Sequence, residues 1–277
     1  MLYPLTSNRT IHDDAITASI DTLRSGRYTM GAQVEAFEQE FADWIGVPHA
    51  VMVNSGSSAN LLAVEAMLWS GRWQCGDEID VPALAWSTTI FPLVQLGLVP
   101  KFFDISLDTL AMKAPSAHSR QMPIHVLGRA AVADCGIEDC CESFGAFFAD
   151  GRSVGTRSTL GTFSHFFSHQ LTTIEGGMVV TSDAGLSDDL RSMRAHGWTR
   201  DRRDARGQSG TFNFVTTGYN VRPMELQAAI GRVQLSRADR DLERRDDAVR
   251  KLIPAIQAVP WLSVVGAASL AKAGVAR

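Results

Sequence analysis

Residues 13 to 45 carry apolar positions at helical spacing in two pieces, DDAITASIDTLRSG and AQVEAFEQEFADWIG, each ended by a glycine suited to a helix C-terminus. They predict two lead-in helices. The run AVMVN (50–54) then turns through SGSS into NLLAVEAMLWSG, where Leu61, Leu62, Val64, Met67 and Leu68 return to helical spacing. Further short apolar runs follow at EIDVP (78–82), KFFDI (101–105), PIHVL (123–127), GIED (136–139), GTFSHFF (161–167) and GMVVT (177–181). Strands alternating with helical segments predict an α/β fold around a mixed, mostly parallel sheet flanked by helices. From Pro223 to Arg250 an apolar stripe opposite charges predicts one long helix leading into a smaller domain. The expected division is a large domain over 1–220 and the start of a small domain over 221–277. Two stretches carry few structural signals, the charged RDRRDARGQSG (200–210) and the tail GAASLAKAGVAR.

Composition narrows the function classes. The 277 residues are 45% hydrophobic, and 26 Lys+Arg against 30 Asp+Glu give a formal charge of −4. That balance supplies no electrostatic footprint for nucleic acid or an anionic membrane. The start, MLYPLTSNRTIHDD, lacks a basic region followed by an apolar core, and no stretch approaches a membrane-spanning length, so the expected compartment is the cytoplasm. Cys75, Cys135, Cys140 and Cys141 form no CxxC pair and show no metal-type spacing, so no metal site is expected.

Three constellations carry candidate chemistry. Asn54-Ser55-Gly56-Ser57-Ser58-Ala59-Asn60 lies between a strand and a helix, where free backbone N–H groups and the helix's positive end can hold an anion. A serine-rich N-cap is the plainer reading of the same residues. In GIEDCCESFG, Asp139 ends a short apolar strand, the usual place for functional groups in an α/β sheet, although a helix-capping aspartate has the same appearance. The third is GTFSHFFSHQLTTIEGGMVVT (161–181).

This third segment resembles the cofactor-lysine segment of the DegT/StrS (DnrJ) family of pyridoxal-phosphate-dependent nucleotide-sugar aminotransferases. The family pattern is a serine, an aromatic run, a lysine, and Glu-Gly-Gly six residues after the lysine. Counting back six from Glu175 gives His169. The resemblance runs from about Ile11 to about Leu235 with the motifs in the family's order. It implies the PLP-dependent transferase fold type I. It also implies a cofactor site: Gly56 and Ser57 cradling the phosphate, Ser164 reaching it, Trp86 in VPALAWSTT stacking on the ring, Asp139 pairing with the pyridinium nitrogen, and Glu142 beside the ring hydroxyl. Asn220 matches the asparagine that reaches the neighbouring subunit's cofactor phosphate, implying a homodimer with shared active sites. His196 in RAHGW is a further candidate substrate contact, with a helix-end histidine as the plainer reading.

The lysine-to-histidine change sets the expected reaction. Imidazole cannot form the covalent bond to the cofactor aldehyde that lysine forms, but it serves as a base near neutral pH and, once protonated, as an acid. The chain in this respect is similar to the family's 3-dehydratases of nucleotide-linked 4-keto-6-deoxyhexoses, enzymes of deoxysugar and lipopolysaccharide O-antigen synthesis. The resemblance implies non-covalently held pyridoxamine 5′-phosphate, a nucleotide-sugar substrate whose 4-ketone condenses with the cofactor amine, loss of the C3 hydroxyl with His169 as base and acid, and glutamate as amino donor. The iron–sulfur branch of this chemistry carries cysteines after the histidine, and no cysteine follows Cys141 here. Two other readings stay open: a sugar aminotransferase of the same family, for which only Lys101, Lys113, Lys251 and Lys272 are available, and a non-catalytic nucleotide-sugar-binding remnant.

Four departures from the family pattern bear on the expected structure. Between LGR (127–129) and IEDCCE stand only the residues AAVADCG, where relatives have a crossover helix, and a parallel connection ordinarily takes a dozen or more residues. Either the strand pairing is rearranged or the helix is reduced to a loop. The chain reaches residue 277 where relatives continue into a C-terminal small domain, which therefore looks truncated. His165 stands where relatives favour an aromatic, and RSTLG replaces their glycine-acidic turn.

Overall fold

The computed structural model describes residues 11–116, 118, 120–131, 135–202 and 212–264. Most of the charged 200–210 loop and the tail lie outside them. Helices α1 (Asp13–Arg24) and α2 (Ala32–Ile45) form as the pattern predicts, and α2 ends on Gly46 in the left-handed region at φ 88°. Strand β1 (His49–Val53) runs into α3 (Gly56–Trp69) without an intervening loop: Ser55 is the N-cap, its side chain accepting the Ser58 N–H. The expected SGSS turn is thus mostly the first turn of the helix.

The strands β2 (Glu78–Pro82), β3 (Val99–Phe103), β4 (Ile137–Asp139), β5 (Leu160–Ser164) and β6 (Gly177–Thr181) follow, with α4 (Ser87–Gln95) and α5 (Ala184–Met193) between or after them. Four strands lie in the order β1-β6-β5-β4, and β2 pairs with β3 in parallel. Only β6 opposes its neighbours; β4 and β5 are parallel, with Asp139 opposite Thr162. Residues 121–124 join the two sheets through single parallel bridges, Gln121 to Asp80 and Ile124 to Asp139. The run expected as a strand over 123–127 is this seam, and it ends in a 3-10 turn, Val126–Gly128, with Leu127 at φ 51°. The short connection to β4 therefore keeps its parallel pairing, and among the described residues it contains no α-helix.

Side-chain alternation buries both faces of the sheet. Val51, Val53 and Val179 pack with Leu62, Val64 and Met67 of α3 on one face; Met52, Met178, Val180 and Phe163 pack with Phe37 and Phe41 of α2 on the other. The long helix expected from Pro223 to Arg250 is two helices, α6 (Glu225–Leu235) and α7 (Ala238–Gln257), broken at Ser236 and Arg237. α6 lies against α1 and α2, where Glu225 accepts the N–H groups of Gly31, Gln33 and Val34 and so caps α2.

Candidate active site

Helix α3 points its N-terminus at the end of β5. A Cβ on Gly56 would stand 2.4 Å from the Ser164 Cβ, and one on Gly177 would stand 2.2 Å from the Ser55 carbonyl oxygen. Only glycine permits either approach. The start of α3, where the Gly56 and Ser57 N–H groups have no carbonyl one turn earlier in the helix, is thereby packed into one corner against Ser164.

Asp139, at the end of β4, is 3% exposed. Its Oδ2 accepts from Thr89 Oγ1 (2.7 Å) and Asn60 Nδ2 (2.9 Å), and its Oδ1 accepts the Cys141 N–H (3.1 Å). Asn60 is turned the right way by Thr162, whose hydroxyl donates to its carbonyl oxygen at 2.6 Å. The Cys141 thiol also hydrogen-bonds this carboxylate, so Asp139 is held from Asn60, Thr89 and Cys141. Thr89 also fixes Trp86: its backbone N–H donates to the Trp86 carbonyl at 3.1 Å at the start of α4, and the indole is left 73% exposed. An aromatic face this open, three residues from the group that holds Asp139, suits a planar ligand. From the sequence Asn60 enters only as the end of the anion-holding segment and Thr89 has no role; their signal is a polar residue that turns out fully buried.

His169 lies in the turn between β5 and β6. Its half-buried ring meets Phe166 edge-on at 5.6 Å, and Nδ1 lies 3.3 Å from the Ser164 carbonyl oxygen. A carbonyl only accepts, so Nδ1 carries the proton and Nε2 presents a lone pair; the tautomer is assigned from this partner. The turn is pinned at several points. The His165 N–H donates to the Gly176 carbonyl and the Thr173 N–H to the His165 carbonyl, while Gln170 reaches the Glu142 carbonyl at 2.8 Å and Gln227 the Glu175 carbonyl at 2.6 Å. Glu142 is thereby held beside the His169 turn.

His165 itself points into the core, between Phe37 and Phe41 at centroid distances of 5.5 and 5.3 Å. Burial pushes its pKa down to about 3, so it is a neutral core ring and not an acid–base group. Burial likewise raises the Cys140 and Cys141 thiols well above their usual range, with the Asp139 charge adding to it. Asn220 is exposed and forms an antiparallel bridge with Ala195; the next carbonyl, of Val221, accepts the Asn54 N–H at 3.1 Å. His196 is exposed in the left-handed turn after α5 at φ 66°, its N–H on the Tyr219 carbonyl. The structure thus joins Gly56, Ser57, Ser164 and His169 through one corner and Asp139 with Trp86 through Thr89. Asn220 and His196 stand on the neighbouring 195–221 segment.

These residues fit a phosphorylated pyridine cofactor by their chemistry: a helix-end anion corner, a buried carboxylate at a strand end, an exposed aromatic face and a histidine with a free nitrogen. The model of the DegT/DnrJ/EryC1/StrS aminotransferase family matches residues 9–131 and 135–274. The chain belongs to this family, whose members are PLP-dependent, and has the PLP-dependent aminotransferase fold.

It is 38% identical over 272 residues to GDP-4-keto-6-deoxy-D-mannose 3-dehydratase of Yersinia pseudotuberculosis, covering 88% of this chain and 69% of that protein. The solved E. coli GDP-4-keto-6-deoxy-D-mannose-3-dehydratase with bound hydrated PLP is similar at 35% identity and a TM-score of 0.86, over 95% of this chain and 75% of that one. A GDP-4-keto-6-deoxymannose-3-dehydratase structure with a trapped PLP-glutamate geminal diamine is similar at 37% identity and a TM-score of 0.78, over 86% and 69%. Among the described residues no helix is long and apolar enough to cross a membrane.

Proposed function

We propose that this chain removes the C3 hydroxyl of a nucleotide-linked 4-keto-6-deoxyhexose, the GDP-linked mannose derivative being the first candidate because relatives carry that name. The observation that carries the reading is a histidine at position 169 with Nδ1 tied to the Ser164 carbonyl and Nε2 available. When bound, pyridoxamine phosphate supplies an amine for the sugar ketone and a ring that withdraws electrons. Asp139 would pair with the ring nitrogen and keep the ring cationic. Trp86 would stack on the ring, Glu142 would stand by its hydroxyl, and Gly56, Ser57 and Ser164 would hold the phosphate. His169 Nε2 would act as the base that takes a proton and as the acid that gives one to the departing hydroxyl. Glutamate restores the amine form, in keeping with the glutamate adduct named for a solved relative.

The aminotransferase alternative needs a lysine at the cofactor. Lys101 is paired with Glu78 and Lys113 with Asp104, Lys251 lies on α7, and Lys272 falls outside the described residues. Exposed Asn220 supports the further proposal that a second copy completes the site in a cytoplasmic homodimer, with His196 on the substrate side. The small domain is proposed to begin after residue 220, with α7, exposed along most of its length, projecting towards it.

The test is to add pyridoxamine phosphate, glutamate and the GDP-linked ketosugar, follow cofactor absorbance and record the product mass. A 3-deoxy product that disappears in His169→Ala supports the reading. An amino-sugar product would replace it with transamination, and failure to bind cofactor would leave only the binding remnant.

A further inference from the structure

The shortened connection between residue 125 and β4 raises the question of what holds β4, and with it Asp139, in place. Glu138 and His125 are both fully buried and meet through His125 Nε2 and Glu138 Oε2 at 2.8 Å. Glu138 also accepts three backbone N–H groups: Gly155 at 2.7 Å, Arg157 at 2.8 Å and Ser158 at 2.7 Å. Its four acceptor positions are thereby filled. His125 Nδ1 accepts the Ala131 N–H at 2.8 Å, which places the ring proton on Nε2 and makes histidine the donor to Glu138. Cys140 lies close enough to complete a metal-type trio, but both partners already spend their lone pairs on N–H donors, which leaves nothing for a cation.

The backbone of the same histidine grips the other side of β4. The His125 N–H donates to the Asp139 carbonyl at 3.0 Å, the Asp139 N–H donates to the Pro123 carbonyl at 3.0 Å, and the Ser143 hydroxyl donates to the His125 carbonyl. Adjacent residues of a strand point to opposite faces. Glu138 therefore anchors β4 from below, in the 153–158 loop, while Asp139 works above it with Asn60 and Thr89.

We propose that the His125–Glu138 pair is the positioning device for Asp139, doing for β4 what a crossover helix packed on the sheet would otherwise do. This rests on Asp139 being the partner of the cofactor ring. The pair gathers Ala131 from one side of the short connection and residues 155–158 from the loop before β5, so three segments without helical support share one buried node. Loss of the histidine donor leaves a buried carboxylate short of one partner and releases the strand end that aims Asp139.

The experiment is a double-mutant cycle read by titrating pyridoxamine phosphate against His125→Phe, Asp139→Asn and the double variant, with circular dichroism confirming the fold. His125→Phe is expected to weaken cofactor binding about tenfold or more in the natural background and less than about twofold beside Asp139→Asn, because the group it positions is already disabled. His125→Gln, which retains an N–H donor, recovers most of the affinity. Equal losses in both backgrounds, or no loss in a folded His125→Phe protein, would overturn the proposal. Asp139→Asn binding the cofactor as tightly as the natural chain would instead overturn the ring-partner reading beneath it. Should His125→Phe not fold, Glu138→Gln enters the same cycle with the same expectations.

Discussion

Replacing His165 by phenylalanine removes a titratable ring from a fully buried, mostly aromatic setting, and its consequence for acid stability follows from the structure. The ring lies between Phe37 and Phe41, with the Leu171 backbone as its hydrogen-bonding neighbour. Its folded pKa of about 3 lies below the ordinary value of 6.5 because burial outweighs the opposing hydrogen bond with the Leu171 backbone, the nearby His169 adding slightly to the effect of burial. Between those values the unfolded chain binds the proton and the folded chain does not. The neutral histidine's stability is therefore fully present above the unfolded value and is lost as pH falls towards the folded one.

Linkage puts the loss at about 2 kcal/mol near pH 5 and about 5 kcal/mol at the bottom of the window. Urea unfolding of both proteins near pH 7.5 and near pH 5 isolates this contribution, because a packing difference between His and Phe shifts both measurements equally and cancels. The variant is expected to lose about 2 kcal/mol less than the natural chain over that interval. An equal loss in the two proteins would refute the buried-neutral assignment of His165.

Three other expectations follow from the same geometry. Gly56→Ala drives a methyl into Ser164, so isothermal titration is expected to show loss of cofactor binding, with about 1–3 kcal/mol of stability lost in urea. Glu38 is a buried carboxylate that burial alone would raise but Arg194, Arg191 and the Met52 N–H hold below its usual range. Glu38→Ala is expected to cost about 3–5 kcal/mol at neutral pH by stranding two buried arginines, while the natural pair's contribution fades as pH falls through the lowered pKa. His169→Lys places an amine on the pinned β5–β6 turn. Added pyridoxal phosphate should then become a borohydride-fixed adduct by mass spectrometry, absent in the natural chain at this residue, and dehydration should be lost.

Where the sequence pattern is local, the structure follows it: α1, α2, β2 and β6 sit where apolar spacing and terminal glycines place them. The pattern fails where a distant contact decides. PIHVL forms only a two-sided seam, because its backbone serves Asp80 on one side and Asp139 on the other. Strand β5 stops at Ser164, since the next residue turns its backbone to Gly176 to close the His169 turn. The break at Ser236 leaves the apolar stripe running on through Leu235, Ala238 and Leu242, so periodicity alone cannot reveal it. The outline of the candidate site came from the spacing of Glu175 to His169 and from Asp139 at a strand end. Its supports did not, because Asn60 and Thr89 are 79 and 50 positions from the carboxylate they hold.

The central claim is tested most directly in a single turnover without glutamate, by mixing the GDP-linked 4-keto-6-deoxymannose with excess protein preloaded with pyridoxamine phosphate and weighing the sugar released. Dehydration predicts a nucleotide sugar lighter by one oxygen atom, with the cofactor amine released as ammonia. A sugar in which the ketone oxygen has been exchanged for an amine, with nothing lost at C3, would contradict it and make the chain a transaminase.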